Sequence, residues 1–293
     1  MNPKANNGQW FILAAAILWG TTGTSQAFAP ASAQPASIGA ARLATGGVTL
    51  LLFAAARGVL RDGNPWPLLP TLVSAGSVAA YQLFFFSGVA KTGVAAGTLI
   101  AIGSAPVLTG GLGFLLRGEV PDRCWILATA LAITGGGLLV SAGSSLNLDP
   151  AGALLALGAG AAYAVYAVVS KGLLTTHHPD AVAMVIFGLG AVFLLPLLLR
   201  TDLSWLTQPR GLVVTLHLGV FATAAAYALF SRGLMTTPAA TAVTLSLAEP
   251  LTAGLLGVFL LGERLSPQAI VGAALLLGGL LLLSVFNTFC KRV

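Results

Sequence analysis

Long apolar runs, each of about 20 residues, follow one another along almost the whole chain and are separated by short stretches with Pro, Gly and charged residues. A helix of about 20 apolar residues spans the hydrocarbon core of a membrane. Only 8% of the 293 residues are charged, against about 25% in soluble domains, which leaves too few charges to cover a water-facing surface. Transmembrane barrel strands would alternate apolar and polar residues. The continuous runs therefore predict an all-α membrane protein.

The runs predict ten transmembrane helices joined by short loops. The first run also resembles a secretory signal sequence. It has a counterpart in the second half of the chain, however, and is therefore predicted to be the first membrane helix. The expected limits are 9–28, 36–56, 68–90, 94–116, 122–143, 150–171, 181–200, 211–232, 238–261 and 267–290.

Basic residues near the helix ends predict the orientation, because cytoplasmic loops carry an excess of Lys and Arg. Nine bases lie on the side of the N-terminus and four on the other side, so both termini are expected in the cytoplasm. Arg42, within the second span, belongs to neither group, and its long side chain is expected to extend outward to the interface. The nine are Lys4, Arg57, Arg61, Arg117, Arg123, Lys171, Arg232, Lys291 and Arg292, and the four are Lys91, Arg200, Arg210 and Arg264.

A shift of 144 residues aligns the sequence with itself, which indicates an internal repeat. The predicted repeats are residues 1–146 and 147–293, with five spans each. Because five is odd, the second repeat must be inverted relative to the first. Inverted repeats are typical of secondary transporters, whose substrate site lies near the membrane midplane. Matching positions include Gly8 and Gly152, Pro35 and Pro179, Phe86 and Phe230, Pro106 and Pro250, Gly118 and Gly262, Glu119 and Glu263, and Gly135 and Gly279.

Three short motifs resemble a known family. Leu18-Trp19-Gly20 lies in the first span, and a Pro-x12-Glu pattern occurs twice, ending as Arg117-Gly118-Glu119 and as Leu261-Gly262-Glu263. The chain thereby resembles tandem EamA-type domains of the drug/metabolite transporter superfamily, and most of all its YddG-type exporters of aromatic and other amino acids. The resemblance implies a ten-helix inverted fold in a bacterial inner membrane and export of small metabolites.

Aromatic residues at mid-span depth predict the wall of a cavity. A deep phenolic or indole group needs a polar partner, which another helix or a hydrated cavity can supply. Helical spacing groups these residues into polar and aromatic stripes on spans one, three, six and eight. Interhelical packing with hydrogen bonds is the alternative reading. The residues of this set expected to contact substrate are Trp19, Thr22, Tyr81, Phe85, Tyr163, Tyr166 and Tyr227.

Glu249 is the one acidic residue predicted to lie deep in the membrane, about 17 Å from either end of span nine at 1.5 Å per residue. A carboxylate at that depth is a functional candidate by default. Ser246 lies on the same face of the helix. Pro250 follows Glu249, and Pro106 takes the equivalent place in span four, so both helices are expected to break and expose backbone carbonyls. Ser104 is a further candidate for binding the substrate's polar end. A protonated carboxyl bonded to a neighbouring helix is the alternative for Glu249.

Other polar residues are weaker candidates. His217 could relay protons, although a lone histidine at that depth is more often a contact between helices. Glu119 and Glu263 are expected to cap helices or contact loops. The adjacent His177 and His178 do not match a metal site.

These features predict a secondary transporter that exports amino acids, with apolar and aromatic ones included, by alternating access through a cavity between spans one, three, four, six, eight and nine. A drug or other metabolite exporter of the same fold is the alternative, and a passive channel or a membrane-embedded enzyme represents other classes. The sequence has no phosphate-binding Gly-Lys-Ser/Thr loop, so ATP is not expected to drive transport. No catalytic residue, metal, cofactor or nucleic-acid partner is expected. The partners are a small-molecule substrate and the lipid bilayer, and the oligomeric state stays open.

Overall fold

The computed structural model describes residues 7–59, 64–142, 149–262 and 266–284. Within these ranges every regular element is a helix. Proline occupies the first position of several of them, where its missing N–H leaves no bond unmade. The elements are α1 (Asn7–Ala27), α2 (Pro35–Ala56), α3 (Leu68–Thr92), α4 (Val94–Arg117), α5 (Arg123–Ser141), α6 (Pro150–Leu173), α7 (Pro179–Leu198), a 3-10 turn (Ser204–Thr207), α8 (Pro209–Leu216), a π-helix (His217–Ala225), α9 (Ala226–Thr236), α10 (Ala239–Leu245), α11 (Ala248–Leu261) and α12 (Pro267–Ser284).

These elements form the ten predicted membrane segments. Nine of the described segments are long and apolar enough to cross a membrane. The tenth, α1, has 21 residues and carries several Thr, Ser and Gln side chains in its second half. Span eight consists of α8, the π-helix and α9, and span nine consists of α10 and α11. The prediction of an all-α membrane protein is confirmed.

Helix packing follows the internal repeat. The contact of α3 with α6 in the middle of the bundle is matched by that of α9 with α1, and the contact of α4 with α6 by that of α11 with α1. The pairs α2 with α7 and α5 with α12 join equivalent helices of the two halves. Since each half has five spans, equivalent helices cross the membrane in opposite directions.

The α5–α12 contact depends on small residues. A Cβ atom added to Gly135 would lie 2.4 Å from the backbone nitrogen of Leu276, and one added to the equivalent Gly279 would lie 2.6 Å from the carbonyl oxygen of Ala128. Only glycine permits backbones to approach so closely, which is a common basis of helix association in membranes. Large apolar side chains such as Leu115 and Phe259 are exposed on the outside of the bundle, as expected for lipid contact.

The two prolines that were expected to break their helices behave differently. Span nine is interrupted at Ser246 and Leu247, just before Pro250. Span four is not interrupted, because α4 continues through Pro106. The hydroxyl of Thr109 donates a hydrogen bond of 2.7 Å to the carbonyl oxygen of Ala105 near this proline, the kind of side-chain bond that lets membrane helices tolerate proline. The expected break at Pro106 is therefore absent.

Candidate functional site

The centre of the bundle holds a cavity of about 710 Å³ lined by residues of both halves. Its lining extends to helix termini that all lie at one end of the bundle, which we call the open end. None of the described residues at the opposite helix termini, the closed end, lines the cavity. The lining at the open end includes Gln26, Pro35, Val94, Ala142 and Ser266.

Aromatic rings from both halves form the inner wall of this cavity. Trp19 and Tyr163, which are equivalent under the repeat, meet edge to face with ring centroids 6.4 Å apart. Tyr227 lies 4.8 Å from Trp19, and Tyr81 lies 6.2 Å from Tyr163 and stacks on Phe85 at 5.6 Å. Among the described residues, the Trp19 indole N–H has no hydrogen-bond partner although it is buried. The wall therefore offers flat apolar surface together with polar groups.

Glu249 lies in the first turn of α11 and lines the same cavity, as do Thr22, Ser246 and Pro250. A carboxylate in the first turn is favoured by the helix dipole. Within the described part of the chain, the Glu249 side chain makes neither a hydrogen bond nor an ion pair within 4 Å. The helix interruption at Ser246 and Leu247 brings this end of α11 to the cavity wall.

Arg42 was expected to extend outward, and the structure corrects this. Its side chain is half-buried and lines the cavity. Its Nε donates a hydrogen bond of 3.4 Å to the hydroxyl of Thr223, which in turn donates to the carbonyl oxygen of Leu218 at 2.8 Å inside the π-helix. The sequence does place Arg42 within a span. That depth could have identified Arg42 as a cavity residue, since charged residues in membranes usually face the bundle interior.

Four of the residues singled out in the sequence do not line this cavity. Ser104 donates to the carbonyl oxygen of Ala101, at the α4–α6 contact. Tyr166 is almost fully buried and lines a separate, narrow crevice of about 10 Å³. His217 forms a hydrogen bond of 2.8 Å with Thr21 of α1, which is a helix contact. Pro106 is buried within α4.

Ion pairs connect the helices at the closed end. Glu119 accepts hydrogen bonds from Arg117 Nε and from the backbone N–H of Ala239 at the start of α10, both at 3.1 Å, and lies 3.8 Å from Lys171 Nζ. Lys171 also donates to the carbonyl oxygen of Thr237. Glu119 thus caps a helix of the other half, while Glu263 lies outside the described residues. Among the residues that the structure describes, no group of three or more His, Cys, Asp or Glu could hold a metal ion.

Several known proteins are similar to this chain over nearly its full length. An uncharacterized transporter, YwfM, of Bacillus subtilis is 49% identical over 96% of this chain and 95% of its own length. The threonine/homoserine exporter RhtA of Escherichia coli K12 is 28% identical over 96% and 90%. A probable terminal-alkyne amino-acid exporter of Streptantibioticus cattleyicolor is 27% identical over 96% and 94%.

A crystal structure at 22% identity superposes with a TM-score of 0.84 over 100% of this chain and 99% of the other, which supports the fold alone. The sequence profile of the EamA-like transporter family matches the chain twice, over residues 6–141 and 150–285. The likeness to YddG-type exporters stays a prediction. Two consecutive matches that together span most of the sequence are decisive, and the chain belongs to the EamA-like transporter family.

Proposed function

We propose that this protein is a secondary transporter that exports amino acids, including apolar and aromatic ones, across a bacterial inner membrane. The observation that carries this proposal is the cavity of about 710 Å³ that both halves line, whose wall combines Trp19, Tyr81 and Tyr163 with the carboxylate of Glu249. Aromatic surface suits an apolar side chain, and a carboxylate suits an ammonium group. Binding sites for small molecules commonly measure about 300–1,000 Å³, so the cavity is of a suitable size.

The named relatives support the same substrate class. RhtA is described as a threonine/homoserine exporter and the Streptantibioticus protein as an exporter of terminal-alkyne amino acids. Neither name mentions an aromatic substrate, so the inclusion of aromatic amino acids rests on the cavity wall of this chain. The relatives are transporters, which also argues against an enzyme.

Alternating access would move residues 1–146 against residues 147–293, the two repeats expected from the sequence. In the orientation favoured by the basic residues, with both termini cytoplasmic, the open end faces outward and the closed end faces the cytoplasm. An exporter in this state would be releasing its substrate. Rocking the two halves would then open the closed end to load the next substrate.

An exporter of amphipathic cationic drugs is the second candidate, because a carboxylate beside aromatic rings also suits such cations. Counterflow into proteoliposomes separates the two. We expect vesicles preloaded with unlabelled L-phenylalanine or L-threonine to accumulate the same labelled amino acid. Labelled tetraphenylphosphonium, which crosses bilayers unaided, should enter vesicles preloaded with the unlabelled cation no faster than it enters protein-free vesicles. Protein-free vesicles are the control. Accumulation of the cation with no amino-acid counterflow would favour drug export, and ion conductance without counterflow would indicate a channel.

A further inference from the structure

Two opposite charges face the same cavity without being paired. Arg42 of α2 and Glu249 of α11 come from different halves of the chain, and both line the cavity wall. Within the described residues neither forms an ion pair within 4 Å. Charged side chains inside a membrane are almost always paired with one another or with backbone groups. An unpaired cation and an unpaired anion on one wall therefore indicate that a ligand with both charges completes the site.

The donor groups of Arg42 are largely unused. A guanidinium has five N–H donors, and in the described part of the chain Arg42 makes one hydrogen bond, from Nε to Thr223. That bond holds the side chain against the π-helix, and among the residues that the structure describes the two terminal nitrogens have no partner. Paired N–H groups of this kind match the two oxygens of a carboxylate.

Tyr81 and Tyr227 line the same cavity as the two charges. Together with Arg42 they also line a narrow crevice of about 10 Å³. Arg42 and Glu249 line the same cavity but are more than 4 Å apart. Two hydroxyl groups, a cation and an anion on one cavity wall are the groups that the head group of a zwitterion requires, and the aromatic wall offers a surface for its side chain.

We propose that Arg42 binds the carboxylate of the substrate while Glu249 faces its ammonium group, so that the substrate class is the free zwitterionic amino acid. Amines, amides and esters, which lack the carboxylate, would be poor ligands. This inference rests on the proposed function and adds a specificity residue that belongs to the opposite half from Glu249. It also distinguishes amino-acid export from export of organic cations, which Arg42 would repel.

The first test needs no variant. In counterflow of labelled L-phenylalanine or L-threonine, the unlabelled amino acid is expected to compete at least about tenfold better than its own amide, because a charge-assisted pair of hydrogen bonds is lost with the carboxylate. Equal competition by the amide overturns the inference and leaves the proposed function intact. Absence of counterflow with every amino acid overturns the proposed function, and the inference with it.

The second test removes the cation. In Arg42→Gln, the ratio by which L-phenylalanine competes better than phenylalaninamide is expected to fall towards one. Arg42→Lys should give an intermediate ratio, because it keeps the charge but loses the paired N–H donors of the guanidinium. Arg210→Gln, at an exposed position outside the cavity, is the matched control and should keep the wild-type preference. If Arg42 only supports the π-helix through Thr223, both ligands weaken equally and the preference is unchanged, which overturns the inference. If Arg42→Gln does not fold, the competition in wild-type protein decides.

Discussion

Asp180 and Arg232 form a bidentate ion pair at the closed end, with Nε to Oδ1 at 3.0 Å and Nη2 to Oδ2 at 2.8 Å. The Asp180 side chain is completely buried. Arg57 Nε lies 3.6 Å from the same carboxylate, and both guanidiniums lie over the ring of Phe53, at 5.6 and 5.9 Å. One carboxylate thus joins the start of α7 to the ends of α9 and α2, and it lies on the side that alternating access has to open.

The first prediction concerns this carboxylate. Asp180→Asn leaves Arg57 and Arg232 facing each other without their shared anion, and breaking a buried ion pair costs about 3–5 kcal/mol. Arg232 is partly exposed, so the lower figure is expected. The melting temperature in detergent should fall by several degrees. Asp202→Asn is the control, since Asp202 is exposed and bonded to Ser204 in a loop. Equal melting temperatures for the two variants would show that the pair does not stabilise the closed end.

The second prediction separates two aromatic residues of the cavity wall. Trp19 is only 6% exposed and packs against Tyr163, Tyr227 and Phe230, so Trp19→Ala should reduce stability by about 3–5 kcal/mol as well as transport. Tyr81 is less buried, and Tyr81→Ala should weaken substrate binding while most of the folded yield is kept. Size-exclusion profiles and counterflow measure the two effects. A loss of monodisperse protein in Tyr81→Ala, in step with transport, would assign Tyr81 to packing.

The sequence predicted the helices well because the length and hydropathy of a span are local properties of the chain. It also placed Trp19, Tyr81, Tyr163 and Glu249 at mid-span depth. Depth, however, does not determine which neighbour a side chain faces. Ser104 is directed to the α4–α6 contact and Arg42 to the cavity through packing between distant segments. The apolar pattern does not indicate the π-helix either, because a π-helix differs from an α-helix in its hydrogen-bond spacing and not in its content of apolar residues.

The third prediction concerns Glu249. Glu249→Gln keeps the size of the side chain but removes its charge and its ionisable proton. Transport should fall about tenfold or more, because one charge-assisted hydrogen bond to the substrate's ammonium group is lost. If the carboxyl also exchanges a proton during the cycle, the pH dependence of transport should flatten. Stability should stay near wild type, because the side chain makes no hydrogen bond with the described residues. Full transport with an unchanged pH profile would remove Glu249 from the mechanism.

The fourth prediction tests the orientation with single cysteines in a background without the native ones. Asn64 precedes α3, and Gln208 precedes α8, so the two positions lie on opposite sides of the membrane. Both are exposed. With the termini in the cytoplasm, a membrane-impermeant maleimide added to whole cells should label Gln208→Cys and spare Asn64→Cys until the membrane is permeabilised. The reverse pattern would invert the topology and make the open end cytoplasmic.

The last prediction asks whether the cavity is accessible from the side of Gln208. Gly23 lines the cavity, and a Cβ atom placed on it would have no neighbour within 4 Å, so Gly23→Cys adds a thiol in open space without disturbing the packing. The impermeant maleimide should label it in whole cells, and a transported amino acid in excess should slow the labelling by occupying the cavity. Gln208→Cys is the control, since its labelling should not respond to substrate. A cysteine at a packed glycine such as Gly135 would not serve, because its side chain would clash with α12. If Gly23→Cys reacted only after permeabilisation while Gln208→Cys reacted before it, the resting protein would be closed on the side of Gln208, unlike the structure, whose cavity opens on that side.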